Sequence, residues 1–437
     1  MEKTEKLEQG KSGFEAIIGE VASTDIIVYE QLNASNDKAA KAEFLENDEL
    51  EHPRNEYGNL KIEKVVENRK KLSEIRKEAA SSWLTDKEQR LLYALIEDNE
   101  KKNDFLLANY AYQTAETPEE KRLASEWHRQ ANEALYGKPD EGIFYALLDE
   151  KLSTIKPETP EEEMDYQKLI KMIGDIPEIE HSRFKPKAET VSRFSEIIQD
   201  FFGGFLDHLP EDKEEYTSEE MVATINDILG EEFGGDTGYS AAIDEKAANA
   251  SANHVERSIK FPEGKIYSKA KAKALICHEL GTHVMRAIPY MDHPVRAFSN
   301  ELPENETFDE GVAKCVEQAI NGKYEDSGID HYINIGLANF KGKNFRDVYE
   351  IQMLLKKLTH AKTDAVLNGV QRCFRGTGEL PNNKDLAYYN GSNQVWQYIE
   401  EHLDDPELMD TLFLSGKTAT LKKDQERLVY ETKVGGI

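Results

Sequence analysis

Cysteine is scarce in this chain: three residues in 437, Cys277, Cys315 and Cys373, with no CxxC pair. Three thiols cannot all pair, so buried, reduced side chains are the expectation. Long apolar runs are missing too. No stretch approaches the roughly 20 apolar residues that span a bilayer. The opening Met1-Glu2-Lys3-Thr4-Glu5-Lys6 has no apolar segment resembling a signal peptide. The expectation is a cytoplasmic protein with no membrane partner. Basic charge is in deficit, with 55 Lys and Arg against 84 Asp and Glu for a formal net charge of −29. That balance argues against nucleic acid or an anionic membrane as a partner.

A chain of 437 residues is long enough for two or three folding units and a sizeable core. Residues 1–20 are polar and expected to be loosely ordered. Leu60 to Lys77, Thr85 to Asn109 and Pro118 to Tyr136 place apolar residues every three or four positions among many charges, as amphipathic helices of a bundle do. A Thr-Pro start at Thr159-Pro160 heads another helix, and two more are expected over Ala188 to Leu206 and Tyr216 to Glu232. His254 to Phe261 alternates apolar with polar and is bounded by Pro262-Glu263-Gly264, so it reads as a strand. A strand at this place could hold an extended peptide by edge pairing.

The chemistry concentrates in Ala274 to Met285, where His278, Glu279 and His283 interrupt an apolar helical pattern. Imidazole nitrogen is a good zinc ligand, and an adjacent carboxylate can take a proton from water beside the metal. The spacing is unusual. Histidines four residues apart lie about 40° apart around a helix; five apart, as here, a regular helix separates them by about 140°. Both reach one metal only if an extra residue is accommodated as a π-bulge. Gly281, between them, lacks the Cβ that would resist such a distortion. Leu275, Ile276, Val284 and Met285 make the surroundings apolar, where unpartnered polar groups are costly.

A third ligand is needed, with a fourth position left open for water. Asn305 to Glu317 reads as a polar loop entering a helix with Val312, Cys315, Val316 and Ala319 as its apolar stripe, and Glu310 lies in the first turn. Glu317, Asp309, Glu306, Asp292 and His293 compete with Glu310 for the role.

The segments His278-Glu279-Leu280-Gly281-Thr282-His283 and Asp309-Glu310-Gly311-Val312-Ala313 resemble the HEIGTH and QEGLA motifs of the microtubule-associated tyrosine carboxypeptidases and their bacterial relatives. Aspartate stands where that family has glutamine, and valine where it has leucine. Tyr29 to Asn36, followed by Lys41, Phe44 and Pro53, is similar to the family's Y-x-x-L-N-P-x-N opening, with Ala34 in place of proline. Arg372 to Thr377 and Lys384 to Tyr388 are similar to its R-x-F-R-G-T and T-K-D-x-x-Y segments, with Asn383 in place of threonine.

The expectation is an α+β, mainly helical protein: an N-terminal tail over 1–28, a helical region over 29–190, and a zincin-like metallopeptidase catalytic domain with a small sheet over 191–437. The resemblance implies Zn2+ held by His278, His283 and Glu310, with Glu279 as general base and Tyr388 as oxyanion donor. The substrate it implies is a peptide or protein C-terminus, its last residue aromatic. A free carboxylate suits a guanidinium or ammonium partner, for which Arg372, Arg375, Lys384 and Arg286 are the candidates. The acidic balance makes a strongly acidic tail such as tubulin's a poor partner. Other HExxxH enzymes, such as dipeptidyl peptidase III, lead to a dipeptidyl- or endopeptidase, and a scaffold with a structural zinc is a third reading. A structural zinc has no use for Glu279 and normally closes its fourth position with His or Cys.

Overall fold

The structure, a computed structural model, describes residues 14, 16–58, 60–80, 84–177, 183–234, 237–245, 247, 249–254, 256–290 and 305–418. The fold is α+β and mainly helical, as expected. The N-terminal half contains α1 (residues 16–22), α2 (Val28–Gln31), α3 (Asp37–Glu46), α4 (Ile62–Ala80), α5 (Asp86–Thr114), α6 (Pro118–Tyr136), α7 (Glu141–Ser153) and α8 (Pro160–Ile173). Three of these starts have a mechanism readable in the sequence. Thr85, Thr117 and Thr159 each accept from the backbone of a glutamate three residues on, and that glutamate returns the bond to the cap. Pro118 and Pro160 sit where a helix needs no amide donor.

The N-terminal end differs from expectation. Phe14, Ile17, Ile18 and Val21 are buried against Leu72, Ile75, Leu91, Leu92 and Ile96 of α4 and α5. Their spacing is that of one helical face, so part of the stretch expected to be loose is a packed helix.

The chain continues through α9 (Ala188–Phe201), α10 (Gly203–Asp207), β1 (Glu215–Thr217), α11 (Ser218–Glu231), β2 (Ser240–Asp244), β3 (Ser251–Asn253), β4 (Ser258–Pro262) and β5 (Ile266–Ser268). β1 pairs antiparallel with β5, and a three-stranded sheet has the order β2-β4-β3. β4 runs parallel to β2, with Ser240 opposite Ser258, and antiparallel to β3, with Ser251 opposite Lys260. The strand expected over 254–261 is therefore shorter, shifted and central. Both its edges are paired, so it cannot take an extended peptide by edge pairing; residue 255 lies outside the described residues.

α12 (Lys269–Leu275) leads into a π-helix over Ile276–Val284 and then α13 (Met285–Ala287). The C-terminal part is α14 (Asn305–Ile320), α15 (Ile329–Lys341), α16 (Phe345–Leu358), α17 (Val366–Cys373), α18 (Leu386–His402) and α19 (Leu408–Phe413). One core joins α9, α11, the sheet, the π-helix, α14 and α18, with Phe202, Ile259, Leu280, Val316 and Trp396 fully or almost fully buried. A second core joins Phe44, Phe144, Leu148 and Leu169 from the N-terminal half to Tyr332, Ile351 and Phe374 from the C-terminal half. A boundary at residue 190 thus cuts through shared core; α7 and α8 complete the packing of α15 and α16. All three cysteines are free and buried, as expected.

α14 and α18 meet backbone to backbone. A Cβ built on Gly311 would lie 2.4 Å from the Gly391 carbonyl oxygen, and one on Gly391 would lie 2.0 Å from that of Thr307. Backbone cannot yield as a side chain can. Gly311→Ala is expected to destabilise the protein by about 1–3 kcal/mol through overpacking, read by chemical denaturation, and to displace the first turn of α14. An unchanged denaturation midpoint would contradict this close approach.

Candidate active site

The π-helix answers the spacing problem. His278 and His283 converge, with ring centroids 4.8 Å apart. His278, Glu279 and His283 each offer a ligand atom within 4.8 Å of the others, the one such group of metal-ligating side chains among the described residues. The extra residue is absorbed over nine residues rather than at a single bulge. Gly281 serves a second purpose: a Cβ there would lie 2.6 Å from the Phe202 ring, so the missing side chain lets α9's end pack against the π-helix.

α14 lies beside this helix and supplies a carboxylate to each imidazole. Glu317 lies 3.1 Å from His278 Nδ1, and Asp309 is 2.5 Å from His283 Nδ1. Each imidazole thus has a carboxylate beside its Nδ1; the contact of His283 is a hydrogen bond, which orients that ring, whereas His278 Nδ1 faces Glu317 without hydrogen-bond geometry. Asp309 is also bound by Lys417 Nζ at 2.5 Å and Arg286 Nε at 2.8 Å. Burial opposes ionisation of Asp309, but Lys417, His283 and Arg286 outweigh it and hold the carboxyl well below its ordinary range. Burial likewise disfavours a charged His283, and the Asp309 carboxylate overcomes it, leaving that imidazole more basic than usual. Glu317 is ionised despite its burial because His278, Lys314 and Lys271 surround it.

Arg286, expected as one candidate for substrate carboxylate, is fully buried and committed elsewhere. Besides its ion pair with Asp309 it donates to the carbonyls of Leu412, Gly416 and Thr418 and to Asn305 Oδ1. It ties the C-terminal segment carrying Lys417 to the histidine site.

The proposed acids sort themselves by their partners. Asp309 and Glu317 back the histidines, and Glu306 pairs with Lys384. Glu310 lies outside the group formed by the two histidines and Glu279. It is half-buried and sits in the field of both His283 and Tyr388. Asp292 and His293 lie outside the described residues.

Tyr388 opens α18 near the same first turn of α14. The neighbouring Glu310 carboxylate, with burial, keeps its phenol protonated far above the usual range. Arg372 Nη2 donates to the Tyr388 oxygen at 3.0 Å, which leaves the phenolic proton available to another acceptor. Arg372 Nη2 also bonds Asp385 at 2.7 Å, and Asp385 in turn faces His331 Nδ1 at 3.2 Å. Arg372 is therefore occupied in holding Tyr388. Lys384 is bound to Glu306 and lies over the Tyr29 ring. Arg375 stands apart: it makes no ion pair or side-chain hydrogen bond among the described residues. Burial lowers its pKa, with Asp385 opposing and Arg372 adding to the effect. Its charge acts on Tyr57 and Tyr136 from the N-terminal half.

A family model described as microtubule-associated tyrosine carboxypeptidase matches residues 180–434. The chain belongs to this family. The match takes in the π-helix, α14, α17 and α18, and so every candidate residue from His278 to Tyr388. No curated protein and no solved structure matches. The Tyr29 to Asn36 segment precedes the matched residues, yet it is packed against them: a Cβ on Gly376 would lie 3.1 Å from Leu32 Cδ1, and the nearby Lys41 donates to Asn368 of α17.

Sequence reasoning did not assign the backing roles of Asp309, Glu317 and Lys417. The signal for Glu317 was its eight-residue separation from Asp309, close to two helical turns and so on one face. Lys417 carried none, because only the tertiary fold brings it over 100 residues to Asp309.

Proposed function

We propose that this chain is a zinc-dependent carboxypeptidase that removes one C-terminal residue, aromatic by preference, from a peptide or protein. The observation that carries the reading is the π-helix that turns His278 and His283 toward each other, with Glu279 beside them and a carboxylate behind each imidazole. The donor set fits zinc: two imidazoles with free Nε2, and one uncommitted acid, Glu310, in the field of His283. Glu310 is the third ligand in this reading because Asp309, Glu306 and Glu317 each have other partners.

Zinc, when bound, supplies a Lewis acid that polarises the scissile carbonyl and makes water acidic enough to lose a proton near neutral pH. Glu279 takes the proton from the attacking water and returns it to the leaving amine. Tyr388, kept protonated by Glu310 and steadied by Arg372, donates its phenolic hydrogen to the developing oxyanion. Arg375, the guanidinium without a partner, receives the substrate carboxylate, and Arg372 and Lys384 position the groups around it. A structural zinc scaffold has no need of Glu279, Tyr388 or an open guanidinium.

Mass spectrometry of products from a peptide library tests the reading. Loss of a single C-terminal residue, abolished by a chelator and restored by zinc, is the expected result. N-terminal dipeptides or internal cuts would replace it by the dipeptidyl- or endopeptidase reading.

Zinc affinity should also depend on pH. His283 is more basic than usual in the metal-free protein, so zinc must displace a proton from it. Affinity is expected to rise with pH until that raised pKa is passed and to fall about tenfold per pH unit below it, as one-proton competition requires. Competition with a chelator of known affinity across pH 6–9, the range about the ordinary imidazole pKa, measures this. A flat profile would remove His283 from the ligand set.

A further inference from the structure

A third imidazole stands near the candidate centre. His254 directly follows β3, the edge strand that packs on the π-helix. Lys417, Asp309 and His283 all act on it electrostatically, and burial, the largest influence, keeps it neutral. Its Nδ1 is 2.8 Å from the Tyr239 hydroxyl. Tyr239 is a buried phenol held protonated by its burial, and this imidazole is its one hydroxyl partner among the described residues. A buried hydroxyl must place its proton on an acceptor. The phenol therefore donates to Nδ1, and the ring proton of neutral His254 resides on Nε2.

Nε2 makes no hydrogen bond among the described residues, yet it is not among the fully buried, unsatisfied nitrogens, so it keeps some exposure. The turn that carries it is strained. Arg257, three residues on, has φ 51°, an unfavourable region for a side chain with Cβ. Its guanidinium Nη1 would lie 2.9 Å from a Cβ on Gly238, the residue before Tyr239. Strain retained at one turn is characteristic of functional sites.

We propose that His254 is a second hydrogen-bond donor to the substrate oxyanion, its Nε2–H aimed into the site and Tyr239 the positioning residue that fixes the tautomer. This rests on the peptidase reading above. Tyr388 and His254 have different neighbours: the phenol is set by Glu310, Arg372 and Asp385, the imidazole by Tyr239 and the sheet edge. Two donors approaching from separate elements would fix the orientation of the carbonyl as well as its charge. Loss of one such donor typically lowers kcat by about 10²–10³-fold.

Two measurements test it. Nitrogen-15 NMR of the metal-free protein should show His254 as the neutral Nε2–H tautomer, with Tyr239→Phe changing the tautomer mixture; a neutral Nδ1–H ring in the wild type would overturn the proposal without reference to catalysis. In the zinc-loaded protein, His254→Ala should lower kcat by about 10²-fold while KM and zinc content stay within a factor of two or so. The affinity of a phosphinic peptide, which mimics the tetrahedral oxyanion, should fall in parallel with kcat. Tyr239→Phe should lower kcat less, and His254→Ala with Tyr239→Phe together should be no worse than His254→Ala alone. Unchanged kcat in His254→Ala, a loss confined to KM, or a proportional loss of zinc would reject the donor role. A wild-type protein that cleaves no peptide would instead reject the peptidase reading, leaving the tautomer result to stand by itself.

Discussion

Glu279→Gln is expected to keep its zinc and its fold while losing roughly 10²–10⁴-fold in turnover, the usual worth of a general base. Glutamine is nearly the same size and retains a carbonyl oxygen, but it cannot accept the proton of the attacking water. Glu279 is buried within the group of metal-ligating side chains and 4.0 Å from His278 Nε2, so it has no surface role to confuse the result. Metal analysis and denaturation of the variant separate a lost base from a lost site. Turnover equal to wild type would take Glu279 out of the mechanism.

The second large effect is expected at Asp309. This one carboxylate serves His283, Lys417 and Arg286, and both cations are fully buried. Removing one partner from a buried ion pair leaves an uncompensated charge and typically costs about 3–5 kcal/mol. Asp309→Asn keeps the shape and removes the charge, so a loss of that order is expected in denaturation. Zinc affinity should fall by about 10–100-fold as well, the usual effect of losing a residue that orients a ligand histidine.

The pH dependence has a definite sign. The Asp309 pKa is depressed in the folded protein, so its stabilisation is fully present above its unfolded value of about 3.9 and is lost as pH falls through the folded value. Wild type should therefore lose stability below about pH 4, and Asp309→Asn should lose less over that range. Identical acid profiles would show that Asp309 is not the group being titrated.

Particular residues show why some of this was legible in sequence. The five-residue spacing of His278 and His283 demanded a departure from α-helical geometry, and the chain supplies a π-helix. The amphipathic helices were visible because their apolar stripes and their Thr and Glu caps act locally. The apolar stripe of the helix over 16–22, with Phe14, Ile17, Ile18 and Val21, is masked when the first twenty residues are averaged, because residues 1–13 are strongly polar. β4 was misplaced at the edge because its partners are short and poor in β-branched residues, Ser-Ala-Ala-Ile-Asp and Ser-Ala-Asn.

The site residues that escaped sequence reasoning are those whose meaning depends on distant partners. Asp309 occupies the position where the resembled family carries glutamine, and nothing local shows that Lys417 and Arg286 surround it. Arg372 and Arg375 look alike in the segment Arg-Cys-Phe-Arg, yet one is bound to Asp385 and Tyr388 while the other makes no ion pair among the described residues. The expected division falls at residue 190. Core packing runs across it, because Phe144 and Leu148 share one buried cluster with Tyr332 and Ile351. The N-terminal half also brings Tyr57 and Tyr136 within the electrostatic field of Arg375.

The most direct test of the central claim uses one pair of peptides ending in tyrosine, identical except that one has a free C-terminal carboxylate and the other an amide. Incubated with the zinc-loaded protein and followed by mass spectrometry, the free acid should lose its tyrosine and the amide should survive, because only the acid offers Arg375 a charged partner. Equal cleavage of both peptides, or cutting at any bond other than the last, would contradict a carboxypeptidase.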